Sequence, residues 1–279
     1  MTPERPILRY HGGKWRLAPF VTEFFPGHKV YVEPFGGGAS ILLRKQRSVT
    51  EIYNELDGEV VNLFRVLRDP DQSDRLKLAL ELTPYSREEF DAAYDIAECP
   101  VEQARRTLVK SWFGAYSKGL MNKTGFDTRV NSDGYCSRVA TFIKLSDMIE
   151  TIRQRMTGVV IENTDALRLI PRMDAHHTLF YVDPPYVPDS RSGKYYRHEM
   201  SEECHRELAG VLHACKGMVI LSGYASELYD RELYADWHRE DCPAYTDGAH
   251  ARTEVLWINP AAWKQKQGQQ YINFGKGVA

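Results

Sequence analysis

The chain has no apolar run long enough to cross a bilayer. Its longest uninterrupted stretches, such as Thr178 to Val182 and Met218 to Leu221, have the length of single buried strands. No apolar signal core stands near the N-terminus, so a protein that remains in the cytoplasm is expected. Cysteine is sparse: Cys99, Cys136, Cys204, Cys215 and Cys242 are five, odd in number and widely spaced, with no Cys-x-x-Cys pair. That argues against a disulfide framework and a zinc ribbon, and it fits a reducing compartment. Neither phosphate-cradling glycine pattern, Gly-x-x-x-x-Gly-Lys-Ser/Thr or Gly-x-Gly-x-x-Gly, is present. A P-loop enzyme and a nicotinamide-dependent oxidoreductase are thereby disfavoured. No internal repeat and no low-complexity tract occur.

A large overall positive charge is missing too. The net charge of −2 over 279 residues argues against a wholly basic nucleic-acid binder. The distribution is uneven, however. Between Gln103 and Lys144 stand Arg105, Arg106, Lys110, Lys118, Lys123, Arg129, Arg138 and Lys144, opposed only by Asp127 and Asp133. Such a segment suits phosphate neutralisation, or it is a solvated face whose charges are balanced in three dimensions.

At 43% hydrophobic and 27% charged residues, the remainder reads as an ordinary globular protein. Strand-like runs fall at 30–35, 51–56, 158–163, 178–182, 218–222, 237–241 and 253–259, the last two suited to an antiparallel pair at one edge. Helical periodicity covers 39–45, 58–68, 202–215 and 226–234. The opening is a strand, turn, helix, strand and helix, as in a doubly wound sheet. Residues 70–155 break that alternation. They are mostly helical, with Ser86-x-x-Glu89 resembling a capping box and Gly114 to Tyr135 reading as loop or hairpin. The expectation is an α/β protein with a doubly wound, seven-stranded Rossmann-like sheet. A catalytic domain of residues 1–69 and 156–279 then carries an inserted, mostly helical domain of residues 70–155. The polar tail from Lys264 onward is expected to be mobile.

Asp183-Pro184-Pro185-Tyr186 follows the buried strand candidate at 178–182. In open α/β sheets that edge is where ligands bind. The two prolines remove two N–H donors, leaving carbonyls to accept from a ligand. Asp183 adds a carboxylate and Tyr186 a flat ring, so the four residues suit a planar amine. One amine hydrogen goes to Asp183 and the other to the Pro184 carbonyl, while the ring stacks on Tyr186. Such a grip favours a pyramidal nitrogen aimed at a methyl sulfonium, with no metal needed.

Val32-Glu33-Pro34-Phe35-Gly36-Gly37-Gly38-Ala39-Ser40 runs from strand through glycines into helix, where glycine lets a ligand approach the backbone. Glu55, followed by Leu56, ends the next strand about twenty residues on, where an acid takes ribose hydroxyls; Asp57 is the alternative. At the N-terminus, Tyr10-His11-Gly12-Gly13-Lys14-Trp15 places a cation where it can meet a carboxylate. His198, Cys204 and His205 match no standard zinc spacing, so no metal is expected.

Together, Tyr10 to Lys14, Glu33 to Gly38 and Asp183 to Tyr186 closely resemble the DNA adenine methylases of bacteria and their phages. The resemblance covers nearly the whole chain. It extends to His198-Glu199-Met200, Leu221-Ser222-Gly223-Tyr224 and Arg252-Thr253-Glu254-Val255-Leu256-Trp257-Ile258, which are similar to phage-type members. It implies transfer of a methyl group from S-adenosyl-L-methionine to the N6 amino group of adenine in double-stranded DNA, with the base flipped out. It also implies roles. Tyr10, Gly12, Gly13 and Lys14, with Glu33, Pro34, Phe35, Gly36, Gly38 and Ser40, would hold the methionine side of the cofactor. Glu55 and Leu56 would hold the ribose side, although many relatives carry Asp at position 55. Asp165 would lie near the cofactor adenine, and Asp183 would touch both ligands. The middle block would recognise DNA through Arg105, Lys118, Lys123, Arg129 and Arg138, with Asn122 and Asn131 suited to adenine edges. A monomer is expected, with a cognate restriction endonuclease as a potential partner. Methylation of RNA, or DNA binding without turnover, are the competing readings.

Overall fold

The computed structural model describes residues 3–116, 119–120, 122–187, 199–244 and 252–275. The elements run α1 (Ala18–Glu23), β1 (Val30–Glu33), α2 (Ser40–Arg44), β2 (Thr50–Asn54) and α3 (Gly58–Arg68). Five helices follow: α4 (Pro70–Glu81), α5 (Arg87–Ala92), α6 (Pro100–Phe113), α7 (Ser137–Ile143) and α8 (Leu145–Met156). The alternation then resumes with β3 (Val159–Glu162), α9 (Ala166–Met173), β4 (Thr178–Val182), α10 (Glu202–His213) and β5 (Met218–Tyr224). A π-helical turn (Leu228–Leu233), β6 (His238–Ala244), β7 (Arg252–Ile258) and α11 (Pro260–Gly275) complete the described chain.

The seven strands form one sheet in the order β3-β2-β1-β4-β5-β7-β6. The first five pair in parallel, while β7 runs antiparallel between β5 and β6. This is a mixed, Rossmann-like sheet, and its edge pair is the antiparallel one anticipated from the sequence. Strand alternation sends Tyr31, Tyr53, Leu179 and Tyr181 to one face and Val32, Ile52, Phe180 and Val182 to the other. Both faces are therefore covered by helices, which is why these strands read as unbroken apolar runs.

The helical insert does not stand apart from the first face. Leu76, Leu80, Phe90, Leu108, Phe113, Leu145, Ile149 and Ile152 are buried in the same cluster as Tyr31, Leu42 and Phe64. Helices α6 and α8 pack on α3. Trp112 donates its indole N–H to the Ile7 carbonyl at 2.8 Å.

The structure refines two local expectations. The tail expected to be mobile from Lys264 onward forms part of α11 as far as Gly275. Asn259 and Pro260 start it, with Asn259 Oδ1 accepting from Ala262 N at 2.9 Å and Pro260 at the first helical position. Buried Ala262 and the partly buried Trp263 then pack it on the core, a weak apolar stripe that polar composition concealed. The helix anticipated over 226–234 is a π-helical turn. It places Tyr229 to share a hydrogen bond of 2.8 Å with His205 Nδ1.

Candidate active site

The strand order reverses between β1 and β4, and a cleft opens beyond their C-terminal ends, as expected for an open parallel sheet. Its volume is about 270 Å³. Every residue assigned to the cofactor from the sequence lines it, from Tyr10 and the Gly12–Lys14 turn through Glu33 to Ser40, Glu55, Leu56, Asp165 and Asp183. Asp57, Ile41, Leu167, Tyr181, Glu199, Met200 and Glu207 complete much of the wall.

The glycine loop is shaped by aromatic rings. A Cβ on Gly36 would lie 2.2 Å from the Tyr53 ring, and one on Gly37 would lie 2.8 Å from the Tyr10 ring. The space these glycines leave is thus filled by the protein's own side chains, not held open for a ligand. Gly37 and Ala39 both take positive φ, at 47° and 54°, a conformation uncommon for a residue with a Cβ. Ala39 is the N-cap of α2. Tyr53 donates its hydroxyl to the Gly37 carbonyl at 2.6 Å, and the Gly36 N–H binds the Asn54 carbonyl at 2.7 Å.

Glu55 accepts from the N–H groups of Gly37 and Asp57, both at 2.9 Å. Burial raises its carboxyl above the ordinary range, against those hydrogen bonds. Asp57 caps α3 by accepting from Glu59 N at 3.0 Å, and Asp165 caps α9 through Leu167 N at 2.7 Å. Glu33 is fully buried at the end of β1, and burial pushes its carboxyl up to about 7 despite a 2.6 Å hydrogen bond from Tyr31.

Asp183 stands at the end of β4 with 17% of its side chain exposed. Its Oδ1 accepts from Lys14 Nζ and from Ser222 Oγ, each at 3.0 Å. Lys14 is only 4% exposed. Besides Asp183, its ammonium reaches the Gly12 carbonyl at 2.8 Å and Glu254 Oε1 at 3.4 Å. The carboxylates it meets are therefore the protein's own. Glu254 also accepts the Tyr186 hydroxyl at 2.5 Å. Burial raises the carboxyls of both Asp183 and Glu254, while Lys14 draws both down.

Within the four-residue motif, Asp183 and Pro185 line the cleft and Pro184 is buried. Tyr186 is 6% exposed, lies edge-to-face on Tyr224 at 4.4 Å, and has Lys14 Nζ 4.8 Å from its ring centre. Sequence reasoning missed Glu254. The available signal was a lone acid beginning the apolar run Val255 to Ile258.

Much of the middle block's charge is consumed internally. Arg105 binds Glu102 and Glu89, both at 2.7 Å, and Arg106 binds Glu102 at 2.8 Å. Lys110 is buried against Glu59. Lys123 meets Asp91 at 2.7 Å. Arg129 and Arg138 share Asp127 at 2.8 and 3.0 Å, yet Arg129 stays 66% exposed. Asn131 Oδ1 accepts from the N–H groups of Asp133 and Tyr135, closing a turn, while Asn122 is exposed. Lys118 and His198 lie outside the described residues. Cys204 accepts from Ser201 Oγ and lines the cleft, and His205 is buried. Among the described residues, no group of three or more His, Cys, Asp and Glu is arranged to hold a metal ion. No described helix is long and apolar enough to cross a membrane.

Comparison with known proteins gives three findings. Residues 10–242 match the family profile described as D12 class N6 adenine-specific DNA methyltransferase. The chain is similar to the type II methyltransferase M1.LlaDCHI of Lactococcus lactis subsp. cremoris, at 25% identity, covering 91% of this chain and 95% of that protein. A solved structure of a conserved hypothetical protein from Streptococcus pyogenes aligns at 9% identity with a TM-score of 0.36, covering 89% of this chain and 96% of the other.

Proposed function

The chain belongs to the D12 class N6 adenine-specific DNA methyltransferases, and from that premise we infer how its cleft performs site-specific adenine methylation. The methyl donor in this reading is S-adenosyl-L-methionine. The cleft suits that molecule chemically. Glu33, Glu55, Asp165 and Asp183 bring acids to a wall that also includes Phe35, Ile41 and Leu167. Carboxylates suit a cationic sulfonium and ribose hydroxyls, and the apolar side chains suit a purine. When bound, the donor supplies an electrophilic methyl group.

The protein's part is positioning and charge. Tyr10, Gly12, Gly13 and the loop from Glu33 to Ser40 enclose the methionine side. Glu55 and Leu56 enclose the ribose side, with Asp165 near the adenine. The target adenine is flipped from the duplex, because a base within the stack cannot reach Asp183. Asp183 Oδ2 accepts one N6 hydrogen, and the Pro184 carbonyl accepts the other. Both favour a nitrogen lone pair pointing out of the ring plane. Stacking of the base on Tyr186 requires that ring to be uncovered as the base enters.

Residues 70–155 would be the target-recognition part. Exposed Arg129 and Asn122 are its best-placed candidates, with Lys118, Lys123, Asn131 and Arg138 beside them in sequence. Arg105 serves better as an internal strut. We also propose a monomer acting in the cytoplasm. The name of the Lactococcus protein is the support for a type II system with a cognate endonuclease.

The observation that carries this reading is Asp183 at the topological switch point, with Lys14 and Ser222 both on Oδ1. The test is transfer of labelled methyl from S-adenosyl-L-methionine to DNA, with RNA in parallel, followed by sequencing of modified bases. N6-methyladenine in one DNA context is expected. Asp183→Ala should lower transfer by about 10²–10³-fold or more while leaving DNA binding. Preference for RNA, or an unchanged rate in that variant, overturns the reading.

A further inference from the structure

Glu254 is a buried acid that the resemblance left without a role. It lies on β7, across the sheet from the motif it contacts, and pairs with Tyr224 in the antiparallel register. Its Oε1 lies 3.4 Å from Lys14 Nζ, which in turn lies 3.0 Å from Asp183 Oδ1. One ammonium thus serves two carboxylates in a nearly dry site, and the three groups sum to one negative charge. Ser222 and Tyr181 face the same cluster, joined to each other at 2.9 Å. Tyr229 and Glu33 approach from the π-helical turn and β1, and Cys242 from β6 next to Glu254.

The methylation reading demands a place for one proton. As the amino nitrogen takes the methyl group, an N–C bond forms and the S–C bond breaks with its electron pair left on sulfur. The nitrogen then holds a positive charge, relieved when one N–H bond breaks and its proton leaves. Asp183 Oδ2 is the acceptor at hand. An aspartate facing a lone buried ammonium would accept badly, because protonation would strand that ammonium without a counter-charge. Glu254 removes this obstacle.

We propose that Glu254 is a positioning residue, the standing counter-carboxylate of Lys14, which frees Asp183 to take the proton released by the substrate amine. Before transfer, Lys14 is shared between two carboxylates. Afterwards Asp183 is neutral and Lys14 is paired with Glu254. The hydroxyl of Tyr186 holds Glu254 in place. Burial of both carboxyls and the pull of Lys14 on each agree with a shared ammonium. This inference rests on the function proposed above, but its first test does not.

That test follows the carboxyl carbons by NMR in the full chain, with ¹³C-carboxyl aspartate and glutamate, over a pH titration without substrate. Asp183→Asn and Glu254→Gln assign the two signals. In the unmodified protein Asp183 should protonate before Glu254 as pH falls. Glu254 protonating first overturns the proposal, and the variants enter this measurement only to assign the signals. In Glu254→Gln the Asp183 midpoint should fall by about one pH unit or more. Single-turnover methyl transfer should show its acid limb displaced downward alongside, with a plateau about tenfold lower. Lys14→Met combined with Glu254→Gln should return the Asp183 midpoint upward. A uniform rate loss in Glu254→Gln with an unmoved Asp183 midpoint would mean that Glu254 merely supports the fold. If DNA is not the substrate, the transfer assay fails while the titration order survives, so the two failures are distinguishable.

Discussion

The Glu55 carboxylate accepts the backbone N–H of Gly37 at 2.9 Å, and so ties the end of β2 to the glycine loop after β1. Its second oxygen holds Asp57 N at the same distance. The extra methylene of glutamate has a use here, since one carboxylate spans two backbone segments. Glu55→Asp shortens the reach by about 1.5 Å, roughly one carbon–carbon bond. One of the two bonds should be lost, leaving a buried N–H unpaired. We expect cofactor affinity to fall about tenfold, corresponding to ~1.4 kcal/mol. Calorimetric titration with S-adenosyl-L-methionine checks this, and equal affinity in the variant would show that the brace is irrelevant to binding.

Glu33 predicts a pH dependence of stability. Burial lifts its native carboxyl to about 7, whereas the unfolded chain titrates near 4.5. The native state therefore binds this proton more tightly. The stabilisation is fully present below the unfolded value and is lost as pH rises through about 7. For an isolated site the loss approaches ~3 kcal/mol. Glu33→Gln retains an acceptor for the Tyr31 hydroxyl and has no proton to lose. Relative to the unmodified protein it should gain stability between pH 5 and pH 8. Thermal melts across that window test the difference, and parallel curves for the two proteins would contradict it.

Charge in the middle block predicts a split between two arginines. Arg129 is 66% exposed beside Asp127, whereas the Arg105 side chain is 14% exposed between Glu89 and Glu102. Arg129→Ala should weaken binding to all DNA sequences and reduce the salt slope by about 1. Arg105→Ala should leave that slope alone and cost about 2 kcal/mol of fold stability, because two acids lose a charged partner. Fluorescence anisotropy across a salt series, paired with denaturant melts, separates the two. The reverse pattern would move the DNA contact to the α6 face.

The sheet was legible because its strands are short apolar runs bounded by turn residues, and the cleft because its motifs sit at strand ends. Parallel strands covered on both faces, such as 178–182, signal themselves by composition alone. Four kinds of feature were not legible. Partners distant in sequence, such as Lys14 with Asp183 and Glu254, leave no local trace. Charge counting over 103–144 could not register that Glu59 and Glu89 fold back onto that segment, and it stopped one residue short of Glu102, which pairs with Arg105 and Arg106 within α6. The glycine run announced close packing but not its agent, since Tyr10 and Tyr53 come from opposite sides of the loop in sequence. The helix at 260–275 was hidden because Asn259 and Ala262 anchor it with few apolar side chains.

The contact between the helical insert and the sheet is a last point of leverage. Arg155 on α8 donates to Glu51 on β2 at 2.6 and 2.9 Å, and to the Leu42 carbonyl at 2.5 Å. Lys45 adds a third bond to Glu51 at 2.6 Å, and all three side chains are buried. Burial pushes the Glu51 carboxyl up, but the bonds from Arg155 and Lys45 outweigh it and hold it below the ordinary range. Removing one member strands buried charge on the others. Glu51→Gln and Arg155→Met should each cost about 3–5 kcal/mol. The double variant should cost clearly less than the two singles added, since Lys45 alone is then left to rehydrate. Because the charges are shielded from solvent, the coupling should survive high salt. Denaturant unfolding of the four proteins, at low and high ionic strength, measures it. Additive losses would mean that α8 is held to the sheet by its apolar face, Ile149 and Ile152, and not by this cluster.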